Sequence, residues 1–180
     1  MFSGVISTNW TSNIFANNNK PALFQCYTSW VRNKDLMIEA DIDAAGVHDD
    51  VNLLRNGIFC PNDIMMSTIS CFKTGSEISP WIEIDLKTVK QITCIKIQVK
   101  KKENFVSTNF KDVQIFIGNF SKSEGESKNE LVYYFPGEAT SAVSIKVYLE
   151  SVMWARYIII QSNASGSQIL QIGQLLVIGV

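Results

Sequence analysis

The sequence predicts an all-β protein, an antiparallel β-sandwich or jelly roll of about eight strands. Three observations carry that expectation. Apolar residues recur with a period of two in Ile82, Ile84 and Leu86, in Val113, Ile115 and Ile117, and in Val143, Ile145, Val147 and Leu149. Polar residues such as Glu83, Asp85, Ser144, Lys146 and Glu150 stand between them, the pattern of a half-buried strand. Runs of β-branched and aromatic residues at 92–99, 131–135, 157–160 and 169–178 are bounded by Gly, Ser, Asn and Pro, which supplies the remaining strands and their turns.

Taken in order, the first forty or so residues are Asn-rich, and Asn17-Asn18-Asn19-Lys20-Pro21 breaks regular structure. Residues 1–17 are therefore expected to form an irregular N-terminal segment and residues 18–180 a single domain. Residues 35–45 have modest helical composition, limited to a short turn or helix by Asp41, Asp43 and Gly46. Pro80 introduces the strand at 81–86, and residues 121–129, rich in Lys, Ser, Glu and Gly, read as a long solvated hairpin loop. Trp81 and Trp154, each flanked by strand-pattern apolar residues, are expected in or near the core.

Composition narrows the function. With 180 residues, 46% hydrophobic and 18% charged, the chain can build its own core. Its formal charge of −1 lacks the basic excess of sequence-independent nucleic-acid binders, and no apolar run reaches the ~20 residues of a membrane-spanning helix. The single histidine, His48, has no second histidine or cysteine at ligand spacing, so it reads as a surface-loop residue together with Asp49 and Asp50. Asp41, Asp43, Asp49 and Asp50 lack the spaced pattern of a calcium loop. No phosphate loop or nucleophile elbow is present, and an enzyme is not expected.

Four cysteines, Cys26, Cys60, Cys71 and Cys94, leave three pairings open; Cys60 and Cys71 are close enough for a short loop closure, and Cys94 in its strand-like run reads equally as a buried thiol. Sequons at Asn9, Asn119 and Asn163 mark candidate N-glycosylation sites. The N-terminus has neither the basic region nor the apolar run of a signal peptide, which leaves a removed leader or an intracellular home.

The collinear order of several motifs resembles the F-type lectin (fucolectin) domain, a relative of the discoidin and coagulation-factor C-type domains. Asn19-Lys20-Pro21-Ala22 resembles the family's opening Asn-x-Lys-Pro-Ala, and residues 51–57 lie where the family has Asn-x-x-Asp-Gly-Asn. Ser70-Cys71-Phe72-Lys73-Thr74-Gly75, then Pro80-Trp81-Ile82-Glu83-Ile84-Asp85-Leu86, is similar to Ser-Cys-x-His-Thr and Pro-Trp-Trp-x-Val-Asp-Leu. Ile117-Gly118-Asn119, Ala155-Arg156-Tyr157-Ile158 and residues 174–179 are similar to the later family blocks. The resemblance implies an eight-stranded, discoidin-like (galactose-binding-like) jelly roll, an extracellular setting, and fucose-type carbohydrate binding through loops at one end.

The binding positions depart from the family's His and two Arg. Lys73 stands at the His position, Lys102 and Asn109 at the two Arg positions, Asn104 at an Asp position, and Phe105 with Val106 where adjacent cysteines lie. A lysine offers a compact charge where arginine offers a planar fork, so two-point hydrogen bonding to a sugar is weakened. The calcium positions are replaced by Arg55 and Gln174, so no cofactor is expected, and the Arg55 guanidinium is expected to donate to carbonyls that calcium would bind. Loss of the closing cysteine, now Gly173, favours a new partner for Cys71, such as Cys60. Lys100-Lys101-Lys102 reads as a solvated strand end or as a cationic rim for an acidic glycan, and Phe105 as packing, a sugar-stacking face or a membrane or protein contact. Two functions are expected from this pattern: a carbohydrate-recognition module for a fucose-type or acidic glycan with an altered triad, or a structural or protein-interaction subunit, homo-oligomer included, that has lost sugar and calcium binding.

Overall fold

The computed structural model describes residues 34–55, 71–99, 107–139 and 143–180. Alternating apolar side chains form long strands: β5 (Trp81–Val99), β6 (Ser107–Gly118), β7 (Glu130–Ala139) and β8 (Val143–Ser162), with β11 (Gln174–Gly179) near the C-terminus. Short strands β1 (Lys34–Asp35), β2 (Asp41–Ala44), β3 (Phe72–Lys73), β4 (Glu77–Ile78), β9 (Ser167–Gln168) and β10 (Gln171–Ile172) trim its edges and loops. The main sheet runs β1-β11-β5-β8-β6-β7, with β2 also on β5; β10 pairs with β3 and β4 with β9, and every pairing is antiparallel. The all-β jelly roll predicted from periodicity is the observed architecture.

Two runs expected as separate strands are continuous. Residues 82–86 and 92–99 join in β5, and 143–149 and 157–160 join in β8, across stretches where the β5–β8 pairing is interrupted and resumes in a new register. The β5–β8 register shifts between Asp85 and Lys90 and again between Ile92 and Cys94. At the second shift the extra residues, 149–152, are on β8; against β11, where Ile178 and Gly179 face Cys94 and Ile92, Thr93 is the extra residue, and its hydroxyl donates to the Ile178 carbonyl at 3.0 Å. One inserted residue reverses side-chain parity, so inward positions pass from Ile82, Ile84, Leu86 and Ile92 to Ile95, Ile97 and Val99. Both halves therefore feed one core, shared with Val113, Ile115, Ile117, Ile145, Val147, Ile158, Ile160, Leu175 and Val177. Each fully buried isoleucine contributes about 1.5–3 kcal/mol.

Several expectations need correction. Trp154 is 63% exposed and Trp81 half-buried: Trp154 follows the outward parity that β8 has before its register shift, so flanking apolar residues misreport its face. Within 35–45, a 3-10 turn at Leu36–Ile38 capped by Asp35 is followed by strand β2, since pairing with β5 overrides the weak propensity of Asp41 and Asp43. The stretch 121–129 is not an open loop. It holds α1 (Lys122–Gly125), started by a Ser121–Glu124 capping box, and a 3-10 turn at Glu126–Lys128. Cys94 is disulfide-bonded, as is Cys71, which excludes the free-thiol reading; Cys26 and Cys60 lie outside the described residues. The expected segment 1–17 also lies outside them.

Two motif blocks serve this frame. Asp85 of β5 accepts a bidentate pair from Arg156 of β8, Nε and Nη2 each at 2.7 Å, at the edge of the first register shift. Gly118 is required by closeness, because a Cβ there would lie 2.0 Å from Oδ1 of Asn129. Asn129 is buried and ties both the N–H and the C=O of Phe120, closing the turn after β6.

The outward row of β5 gives opposite pH signatures. Arg156 holds the Asp85 carboxyl below its usual 3.8, whereas burial pushes Glu83 above 4.5 despite the Lys122 backbone N–H it accepts, with Asp43 and Asp85 adding repulsion. Stability from Asp85 is complete above pH 3.8 and is lost as pH falls through its lower folded value. For Glu83 the folded state holds its proton more tightly, so stability falls as pH rises from 4.5 through the folded value. Thermal melts should therefore show Glu83→Gln more stable than the parent at pH 7 and equal to it near pH 4. Asp85→Asn should be less stable at pH 7, with the gap narrowing below pH 3.8.

Candidate functional site

Lys73 and Asn109, 36 positions apart in sequence, are both brought to Gln171. Lys73 ends β3 and lies directly opposite Gln171 of β10, so the two side chains share a face. The Gln171 Oε1 accepts from Nδ2 of Asn109 at 3.1 Å. Asn109 is held by its neighbour Phe110, which is fully buried and packs edge-on against Phe135 at 5.3 Å between centroids. Phe72 does the same for Lys73: its ring is buried, which turns the lysine outward to solvent.

The residues after Lys73 are structural. Buried Thr74 pairs through its backbone N–H with the Leu170 carbonyl at 3.0 Å, and its hydroxyl oxygen accepts from the Leu170 N–H at 2.9 Å. At Gly75 a Cβ would come within 2.9 Å of the Val47 nitrogen and 3.0 Å of Gly46 Cα, so only glycine lets the 45–47 turn approach. The Gly75 N–H donates to Ala45 and the Asp49 N–H to the Lys73 carbonyl. That turn carries His48, whose Nδ1 donates to the Asp49 carbonyl at 2.7 Å and whose ring tilts against Phe72 at 5.8 Å. His48 is thus half-buried rather than a free loop side chain.

A second cluster forms around Arg55. Its Nη1 donates to the carbonyls of Met37 at 3.1 Å and Ala40 at 3.0 Å, and its Nε and Nη2 converge on Oδ1 of Asn52 at 3.0 and 2.7 Å. Asp50 starts the turn at Val51–Leu54 by accepting from the Asn52 N–H, and it also accepts from the Asn52 carboxamide. One guanidinium therefore fixes two backbone segments that would otherwise leave carbonyls unsatisfied. Gln174 opens β11 opposite Gln98, in an outward-facing pocket with Lys96 and Leu176. Among the described residues, no group of acidic, histidine or cysteine side chains is arranged to hold a metal.

Lys102, Asn104 and Phe105 lie outside the described residues, as do Cys60 and Asn9. Asn119 and Asn163 are exposed, and Oδ1 of Asn119 accepts from the Arg156 N–H. Sequence reasoning missed Gln171. Residues 169–178 read there as one strand, and the break at Gly173, whose N–H bonds Gln98 instead of continuing the ladder, separates β10 from β11. Gly173 was the available signal.

No protein-family profile matches the chain, and no curated protein sequence does. Solved structures do. The chain is similar to an F-lectin (fucolectin) from striped bass, Morone saxatilis, serum, at 17% identity and a TM-score of 0.63 over 81% of this chain and 47% of the other, so it spans about half that lectin's length. It is similar to the CpGH89CBM32-6 module produced by Clostridium perfringens, at 16% identity and a TM-score of 0.57 over 82% of this chain and 100% of the other. A Streptococcus pneumoniae fucose binding module matches with 16% identity and a TM-score of 0.57 over 82% and 96% of the two chains. Identities this low establish architecture alone: the chain has the β-sandwich fold of these F-lectin and CBM32 modules.

Proposed function

We propose that the protein is a non-enzymatic recognition module that binds a glycan through the loop end carrying Lys73, Gln171 and Asn109. The observation behind this reading is the convergence of Lys73 and Asn109 on one residue, Gln171, from three different strands. Carboxamides both donate and accept, as sugar hydroxyls do, and the lysine adds a charged donor. The fold's neighbours include a lectin domain of lectinolysin complexed with Lewis b antigen and a family 32 module in complex with galactose. Lys102, Asn104 and Phe105 belong to the same site on the resemblance. A fucose-type or acidic glycan fits this donor set, with lower affinity than an arginine pair would give.

A protein-interaction scaffold is the second reading. It is favoured by the 63% exposure of Trp154, near exposed Val152 and Val89, an apolar surface the loop-end reading leaves unused.

The residues at the family's calcium positions do not fit the ion. The Met37 and Ala40 carbonyls already accept from Arg55, whose fixed charge would repel a dication in that place. Arg55 takes over the ion's structural task, so Arg55→Met should lower unfolding free energy by about 2 kcal/mol through lost charged hydrogen bonds. Chelator should leave the parent's melting temperature unmoved; a large drop would restore calcium to the site. An extracellular setting follows from the same reading, with a Cys60–Cys71 bridge and glycans on Asn9, Asn119 or Asn163. Peptide mass spectrometry before and after reduction should find Cys60 joined to Cys71, and a different partner for Cys71 would refute that pairing.

A glycan array run with calcium and with chelator tests the main reading. Saturable binding, equal in both buffers and abolished by Lys73→Ala or Gln171→Ala, is the expected outcome. A blank array from folded protein would leave the interaction scaffold.

A further inference from the structure

The layer built from β1, β11, β5 and β8 has an outer face remote in sequence from Lys73. Leu175, Val177, Ile95, Ile97, Ile145 and Val147 are buried, so the residues alternating with them, Gln174, Leu176, Lys96, Gln98 and Lys146, face outward. Register sets their order. Leu176, Lys96 and Lys146 form one row across three strands, and Gln174 lies opposite Gln98 in the next. Lys96, Gln98, Gln174 and Leu176 line a shallow pocket of about 140 Å³.

Directly opposed lysines are electrostatically unfavourable, with Cα atoms only ~5 Å apart on paired strands. The other layer shows how this fold treats such conflicts. Asp41 faces Asp85 and Asp43 faces Glu83 across β2 and β5. There, Lys87 pairs with Asp41, Arg156 with Asp85, and the Lys122 backbone N–H with Glu83. For Lys96 and Lys146, no carboxylate among the described residues forms an ion pair. Asp35, in the row beyond Leu176 and at the far edge, is turned to the Met37 N–H.

We propose that this pocket is a second ligand site, for an acidic saccharide. A sulfate or carboxylate substituent supplies the counter-charge to Lys96 and Lys146. The Gln98 and Gln174 carboxamides meet ring hydroxyls as donor and acceptor, and half-buried Leu176 meets a ring C–H edge. A bare anion would use the lysines alone; the amide pair and the leucine match the mixed surface of a sugar ring. At 140 Å³ the pocket is smaller than the ~300–1,000 Å³ that encloses a whole small ligand, so it takes one unit of a longer chain.

The test is calorimetric titration of the full chain with a heparin-derived hexasaccharide, its desulfated counterpart and inorganic sulfate. The sulfated sugar should bind saturably and the other two at least ~10-fold more weakly, the loss of a charged contact. Lys96→Gln with Lys146→Gln should weaken binding by at least that factor, while Lys128→Gln, which removes an exposed charge in the turn after α1, leaves it unchanged. In the same variants, the melting temperature without ligand should hold or rise, because a repulsion is removed. Equal binding of the desulfated sugar, equal binding of inorganic sulfate, no binding by folded protein, or loss through Lys128→Gln alone would each overturn the assignment. The loop-end reading is scored separately, by neutral glycans and the Lys73 variant.

Discussion

Because β5 and β8 run antiparallel along nearly their whole lengths and both layers draw strands from them, whatever keeps that ribbon in register keeps the fold. Two long strands sharing a period-two pattern can slip, and a slip of one residue would turn every buried isoleucine to solvent. The bulges make slippage costly. The residues inserted in β5 between Asp85 and Lys90, those inserted in β8 between Tyr148 and Met153, and the single insertion of Thr93 against β11 each fit one place on the partner strand. The bidentate Asp85–Arg156 pair then locks the edge of the first insertion, and the Thr93 hydroxyl pins the last to β11.

From that ribbon, position propagates outward to exposed Lys73 and half-buried Gln171. Leu170 and Thr74 lace the segment before β10 to the end of β3, Gly75 admits the 45–47 turn, and Lys73 and Gln171 are left opposite each other on the surface. Arg55 performs the equivalent task on the neighbouring loops with one side chain, donating to Met37, Ala40 and Asn52. A guanidinium is suited to this because its five donors leave in fixed directions and its charge does not titrate. The frame thus holds its loops with residues of its own chain, which frees the exposed positions to diverge.

What was legible in the sequence was whatever parity alone determines. Ile82, Ile84, Ile115 and Ile117 lie inward as their alternation requires, and Glu83 and Asp85 lie outward. Parity fails where the ladder inserts a residue, which is why Trp154, in an apolar run, reaches solvent and why 82–86 and 92–99 read as two strands. Lys73, Asn109 and Arg55 were singled out by motif order. Gln171 was not, since its significance comes from cross-strand register with Lys73, and register is a tertiary quantity. The same applies to Lys96 and Lys146, separated by 50 positions and joined only by the β5–β8 pairing.

A formal charge of −1 also hides a division that the fold creates. Asp41, Asp43, Glu83 and Asp85 gather on the outside of one layer, where Lys87, Arg156 and Lys122 offset them, while Lys96 and Lys146 oppose each other on the outside of the other. Net charge governs attraction at long range; closer in, within a Debye length of about 8 Å, the two faces present different fields to anything that approaches. An acidic ligand is repelled by one face and drawn to the other, so the sandwich has a polarity that its composition does not reveal. The two sets of like charges are treated unequally: cations pair with Asp41 and Asp85 and a backbone N–H with Glu83, whereas among the described residues no carboxylate pairs with Lys96 or Lys146.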